Sequence, residues 1–249
     1  MATCELCLTD TELIRKSHIY PSFLYKGLFD HKQTIRRFTL DDILKGNLNV
    51  KKPRTGVYEG NLLCPKCENE VISKFESYAA KIFNHRDKDI KVNKIRTGEL
   101  NTLYIEGINY AKFKNFFLSI LYKANVSTFS EFEEISLGPY KDQVRNSVLN
   151  NSSLDDLDFQ INILKFEKDS SFNEMIMQPL RSKIRAETNY VLLVRGFLIV
   201  VCVKENLASR KLKGIRLKKD GTILIPIIPK ESERKFIGEL LGLNTYHKK

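Results

Sequence analysis

Cys4-Glu5-Leu6-Cys7 and Leu62-Leu63-Cys64-Pro65-Lys66-Cys67-Glu68, with Ser17-His18-Ile19-Tyr20-Pro21 between them, decide how the N-terminal part of this chain is read. A Cys-x-x-Cys turn sets two thiolates at a separation that suits one zinc ion, and two such turns complete a tetrahedral four-thiolate site. The competing readings of the quartet are two independent structural pairs, or coincidence. Just after the second pair, Val71, Ile72, Phe75, Tyr78, Ala79 and Ile82 recur at three- and four-residue steps, one apolar helical face that reaches about Asn84. The expectation is a zinc-held fold that presents one histidine.

Working outward, residues 13–19 read as a hairpin with His18 at the end of its second strand, and Pro21-Ser22 start a short helix because proline suits a first helical turn. Residues 30–61 are polar, with Gly46, Pro53, Gly56 and Gly60, a loop-like insertion carrying Lys51, Lys52 and Arg54. The charged, apolar-poor stretch 87–98 reads as a linker, which divides the chain into a module at 1–86 and a domain at 99–249. In the second part, Tyr110 to Ala124 is a strongly apolar helix whose Phe113, Phe116 and Phe117 read as core, followed by helical segments around 129–136 and 140–150. Beyond Asp155 the pattern turns strand-like over 159–166, 190–194, 197–203, 213–217 and 222–228, rich in β-branched residues and punctuated by turn signals such as Asp220-Gly221. A helix over 231–241 closes the pattern. The fold class expected is α+β: an N-terminal ββα zinc module, then an α+β domain with a mainly antiparallel sheet.

The 249 residues carry a formal charge of +11, split almost evenly between residues 1–100 and 101–249, so neither part alone is the basic one. Such an excess favours polyanionic partners, nucleic acid before acidic small molecules. No basic stretch followed by an apolar one opens the chain, and the longest apolar run, 190–203, is too short to span a bilayer and is broken by Arg195-Gly196. A cytoplasmic protein without membrane contact is expected, in which paired cysteines are metal ligands before they are disulfides and Cys202 is a core residue.

In order and type, the Cys-x-x-Cys, Ser-His-Ile-Tyr-Pro and Leu-Leu-Cys-x-x-Cys-Glu elements resemble the zinc-containing HNH (ββα-metal) endonucleases, whose zinc knuckle, hairpin and helix form a treble clef. The resemblance covers residues 4–84. It implies that Cys4, Cys7, Cys64 and Cys67 bind a structural zinc, that His18 is the general base towards water, and that Glu68 holds a catalytic Mg²⁺ or Mn²⁺ with Ser17 as a further ligand. Two positions depart from the family pattern: Ser17 stands where Asp or Glu is usual, and Glu68 where Asn or His is usual. The implied activity is metal-dependent hydrolysis of phosphodiesters in nucleic acid, DNA before RNA, in a phage-defence or mobile-element setting. The C-terminal domain would then select the target or bind a protein partner. The alternative is a catalytically inactive zinc module that binds nucleic acid or a protein.

Each assignment has a plainer counterpart. His18 also suits a strand-end residue bonded locally, and Glu68 a glutamate placed at a helix start for its dipole. Glu76, two turns further on, is either another ligand or a surface residue. Arg210, Lys211 and Lys213, with Arg216, Lys218 and Lys219, alternate with apolar residues and read as one basic face of a strand, either tracking phosphates or merely solvated. Lys51, Lys52 and Arg54 are the better placed phosphate contacts. His31, His85 and His247 read as solvated.

Overall fold

In the computed structural model, residues 1–29, 34, 37–38, 56–84, 87–184, 187–205 and 207–240 are described. They confirm a mixed α+β chain with a mostly antiparallel sheet. The chain forms two compact units, one of residues 1–37, 42–88 and 109–154, the other of residues 38–41, 89–108 and 155–249.

The first unit opens on β1 (Ala2–Thr3) and β2 (Asp10–Thr11), an antiparallel pair that frames the first cysteine turn. β3 (Ser17–His18) pairs with β4 (Tyr58–Glu59), setting Ser17 opposite Glu59 and His18 opposite Tyr58. A π-helical turn, Cys67–Ile72, leads into α1 (Ser73–Phe83), which buries Phe75, Ala79 and Ile82 as the periodicity requires. α2 (Tyr110–Val126) begins where the Asn109 side chain accepts a 3.0 Å hydrogen bond from the Lys112 N–H. It is buried around most of its circumference, the mark of a central helix. Phe113, Phe116 and Phe117 of α2 meet Phe23 and Phe83 in one aromatic cluster with ring centroids 5.0–6.3 Å apart. α3 (Lys141–Asn150) follows, closed by Asn151 in the left-handed conformation.

These helices were expected to belong with the C-terminal part, and they do not. The Tyr122 hydroxyl donates to the Glu5 carbonyl, and the Arg145 guanidinium donates to the Leu6 carbonyl at 3.2 Å. Both acceptors lie between Cys4 and Cys7, so α2 and α3 hold the first cysteine turn from outside. The carboxylate of Glu59 is buried and accepts from the Ser127 hydroxyl and from the Thr128 N–H and hydroxyl, fastening β4 to the end of α2.

The second unit is a sheet of β5 (Lys91–Thr97), β6 (Leu100–Glu106), β7 (Gln160–Phe166), β8 (Ile176–Ile184), β9 (Glu187–Val194), β10 (Phe197–Cys202) and β11 (Ile223–Ile228). Its spatial order is β8-β9-β10-β7-β11-β6-β5, with the two-residue strand Arg37–Phe38 beyond β8. Only β7 and β11 run parallel among these neighbours. The apolar run 190–203 folds as the β9–β10 hairpin, with Arg195 and Gly196 at φ +50° and +75° in its two-residue turn. α4 (Leu207–Lys211) and α5 (Glu233–Leu240) complete the unit.

Three expectations are corrected here. The stretch read as a linker contains β5, a strand exposed at all seven residues, and apolar alternation was the missing signal. β8 escaped notice because Pro179 interrupts it, close to a register shift against β9. Residues 213–217 form turns and a single bridge, Asn162 to Arg216, instead of a strand, with Gly214 in the turn. Lys213 is therefore not on a strand face, and Arg210 and Lys211 end α4.

Gly221 offers a direct check of the sheet's closure. At φ +81° a Cβ there would lie 2.3 Å from the Ile108 carbonyl oxygen, whereas at Gly98, φ +60°, it would meet nothing within 4 Å. Gly221→Ala should cost about 2–4 kcal/mol, the left-handed penalty plus the displaced backbone, and Gly98→Ala about 1 kcal/mol. Thermal unfolding of the two variants measures this, and equal losses would contradict the packing described.

Candidate metal centre and the adjoining polar site

One potential ligand sulfur from each of Cys4, Cys7, Cys64 and Cys67 lies within 4.8 Å of all the others. The Cys7 and Cys64 sulfurs are 3.9 Å apart, close to the roughly 3.8 Å edge of a tetrahedron with zinc–sulfur bonds of about 2.3 Å. Local backbone geometry explains the approach. Leu8, at φ +59°, turns the chain so that its N–H reaches the Cys4 carbonyl at 2.8 Å, and the Cys4 N–H bonds to the Thr9 carbonyl. Across the gap in sequence, the Glu5 N–H donates to Leu62 O, the Ile14 N–H to Leu63 O and the Asn61 N–H to Ile14 O. Backbone N–H groups of Cys64 and Cys67 point at the sulfurs of Cys4 and Cys64, at 3.3 and 3.4 Å.

Burial pushes the Cys4 and Cys67 thiols above their ordinary range. At Cys7 burial acts the same way, but hydrogen bonds from Thr9 and the neighbouring thiols outweigh it and bring the group down to about 6. Ionising all four sulfurs together therefore calls for a cation at their centre, and the donor set fits a metal ion such as zinc. Cys202 is buried in the second unit, pushed up to about 12 by that burial, and takes no part.

The strand and helix positions singled out in the sequence do meet. The buried Ser17 hydroxyl donates to Glu68 Oε2 at 3.0 Å, across 51 residues of sequence. His18 follows on β3, half-buried, its ring edge-on to Tyr58 with centroids 5.9 Å apart. Burial, reinforced by the Lys123 charge, lowers the basicity of its imidazole and favours the neutral ring. Burial raises the Glu68 carboxyl above its ordinary range, with Lys123 opposing the shift and Glu76 adding to it.

Lys123 and Glu76 thus act electrostatically on both groups. The Lys123 side chain is fully buried, donates to the His18 carbonyl, and forms a 3.1 Å ion pair with Glu76, whose side chain is 24% exposed. Nothing in the sequence marked Lys123, because it sits in a helix whose apolar residues read as plain core. Glu76 is a partly buried ion-pair partner rather than a surface residue. In a regular α-helix, residues eight apart diverge by about 80°. The wider π-helical turn at Cys67–Ile72 rotates less per residue and carries Glu76 back towards the side of Glu68.

Of the phosphate contacts suggested by sequence, Lys51, Lys52 and Arg54 lie outside the described residues, as do His31, His85 and His247. In the second unit Arg210, Lys211 and Lys213 are exposed, but Arg210 pairs with Glu205, Arg216 with Asp156, and Lys219 with Asp155 and Asp156. The basic face read from the sequence is thus partly neutralised by acids. No protein-family model, curated protein or solved structure matches this chain. Among the described residues no helix is long and apolar enough to cross a membrane.

The buried ion pair has a measurable consequence. Lys123→Met should destabilise the chain by about 3 kcal/mol, since it leaves the Glu76 carboxylate and the His18 carbonyl without their donor. Adding Glu76→Gln should return at least about 1 kcal/mol of that loss. Denaturant unfolding of the four-member mutant cycle gives the coupling, and strict additivity would show that the pair is not formed.

Proposed function

We propose that this chain is a zinc-stabilised endonuclease of the HNH type that hydrolyses phosphodiester bonds in nucleic acid, with His18 as the general base. The observation that carries the reading is the Ser17–Glu68 hydrogen bond. It joins the residue before the histidine to the residue after the last cysteine, the two positions where such a site keeps its metal ligands. Cys4, Cys7, Cys64 and Cys67 would hold the structural zinc. Glu68, with Ser17 beside it, would hold Mg²⁺ or Mn²⁺, which when bound supplies neutralisation of the phosphate charge.

The chain's own groups divide the remaining work. A neutral His18 imidazole accepts the proton of the attacking water. Lys123 fixes the backbone that carries this ring by holding its carbonyl. Ser17 occupies one oxygen of Glu68 and leaves the other for the cation. Tyr58 restricts the imidazole from its edge.

One observation favours a second reading, a zinc module that binds nucleic acid or a protein without cutting. Lys123 already places a fixed ammonium beside the carboxylates, and Ser17 contributes a hydroxyl where a carboxylate would bind a cation more strongly.

Incubation of the full chain with plasmid DNA and structured RNA in Mg²⁺ or Mn²⁺ separates the two. Cleavage by wild type and a loss of at least about 100-fold in His18→Ala, with unchanged melting, is the expected result. A folded wild type that cuts neither substrate would leave the binding reading. Metal analysis should return one zinc per chain, and Cys64→Ser should lose both the ion and the fold of the first unit, because a structural zinc contributes folding free energy directly.

A further inference from the structure

The β5–β6 hairpin of the second unit has no part in the site described, and its composition is unusual for where it lies. Its outer strand, β5, is exposed at every position and bears Lys91, Lys94 and Arg96 with no acidic residue between them. Among the described residues these three side chains enter no ion pair, nor do the exposed Lys211, Lys213 and Lys218, whereas Lys204, Arg210, Arg216, Lys219 and Lys230 of the same unit are matched to acids. The acids of the hairpin sit at its ends: Glu99 in the turn, and Glu106 at the base opposite Lys91. Thr97-Gly98-Glu99-Leu100 closes the ribbon tightly, with Gly98 at φ +60°. Behind it, β6 is anchored through buried Thr102 and Ile105 and pairs along its other edge with β11.

We infer that this ribbon is a docking surface for duplex DNA, in which the unpaired cations of β5 meet phosphates and the exposed strand faces the major groove. Shape and charge both select that partner. Because β11 covers the other edge of β6, it is the edge strand β5, about 23 Å long and exposed at every position, that enters the major groove of B-form DNA, about 12 Å wide, while the deep, narrow major groove of A-form RNA does not admit it. Lys94 and Arg96 project from the same face of the strand, so their charges reach one backbone together. A second copy of the chain is a poorer occupant. Antiparallel pairing of β5 with itself about its centre would place Lys94 against its own copy, and like charges directly opposite destabilise a ladder. β5 belongs to the second unit and His18 and Glu68 to the first, so the inference does not depend on cleavage.

The test is fluorescence anisotropy of a labelled duplex of about 30 base pairs with the full chain, across a salt series without added divalent cation. The variants are K230S, an exposed lysine of the same unit already paired with Asp169, and the triple K91S/K94S/R96S. The triple change alters only exposed side chains, and its melting temperature should match wild type. Wild type and K230S should bind alike. The triple variant should bind at least about tenfold more weakly, with a log–log salt slope shallower by about 2–3, as three lost phosphate contacts require. Duplex RNA of the same sequence should bind more weakly than DNA. Unchanged affinity and slope in the folded triple variant, equal binding of the RNA duplex, or no binding by wild type would each overturn the inference. So would sedimentation showing a wild-type dimer that the triple variant abolishes, because the edge would then join two copies.

Discussion

Four sulfur atoms gathered within 4.8 Å are the constraint on which the first unit depends. They come from two turns separated by 57 residues between Cys7 and Cys64, and closing so long a loop costs conformational entropy that thiol contacts alone do not repay. Part of the closure comes from the backbone bonds linking Glu5 to Leu62 and Ile14 to Leu63. Burial works against ionisation at Cys4 and Cys67, and a cation held by the four sulfurs would reverse that balance. Its binding free energy would then become folding free energy for the strand and helix that meet beside it.

The same reasoning explains why α2 and α3 belong to this unit despite their distance along the chain. A zinc-type knuckle is small and has little core of its own. Here Tyr122 and Arg145 satisfy two carbonyls of the first turn, and Glu59 receives the end of α2, so a large apolar helix is sealed onto the metal end by named hydrogen bonds. The aromatic cluster from Phe23 to Phe117 supplies the apolar burial that the knuckle lacks.

Cysteine spacing and helical periodicity made the quartet and α1 readable in advance, because both follow from local geometry: a two-residue turn between ligands, and apolar residues returning every three or four positions. The meeting of Ser17 with Glu68 was legible only through resemblance, since no local rule links a strand to a helix 51 residues away. Lys123 was invisible for a physical reason. A buried lysine in an apolar helix looks like one solvated charge among many until its partners, a carbonyl on β3 and a carboxylate on α1, come from elsewhere in the chain. β5 was missed for the opposite cause, a strand with no buried face and hence no alternation to detect. In the sheet, β9 and β10 were plain from their apolar run and the Arg195-Gly196 turn.

Charge balance around Glu68 bears on what the polar site can hold. Glu68 and Glu76 bring two carboxylates, Lys123 one fixed ammonium, and the imidazole favours its neutral form. With both carboxylates ionised the sum is one negative charge. It is shielded from water by the burial that raises Glu68, and it favours a cation over an isolated phosphate. The lysine cancels one of the two carboxylates and leaves the other without a counter-charge. Because burial raises the Glu68 carboxyl, a proton competes with any cation for its oxygens. A cation taken up by the proposed site would therefore bind more tightly as pH rises.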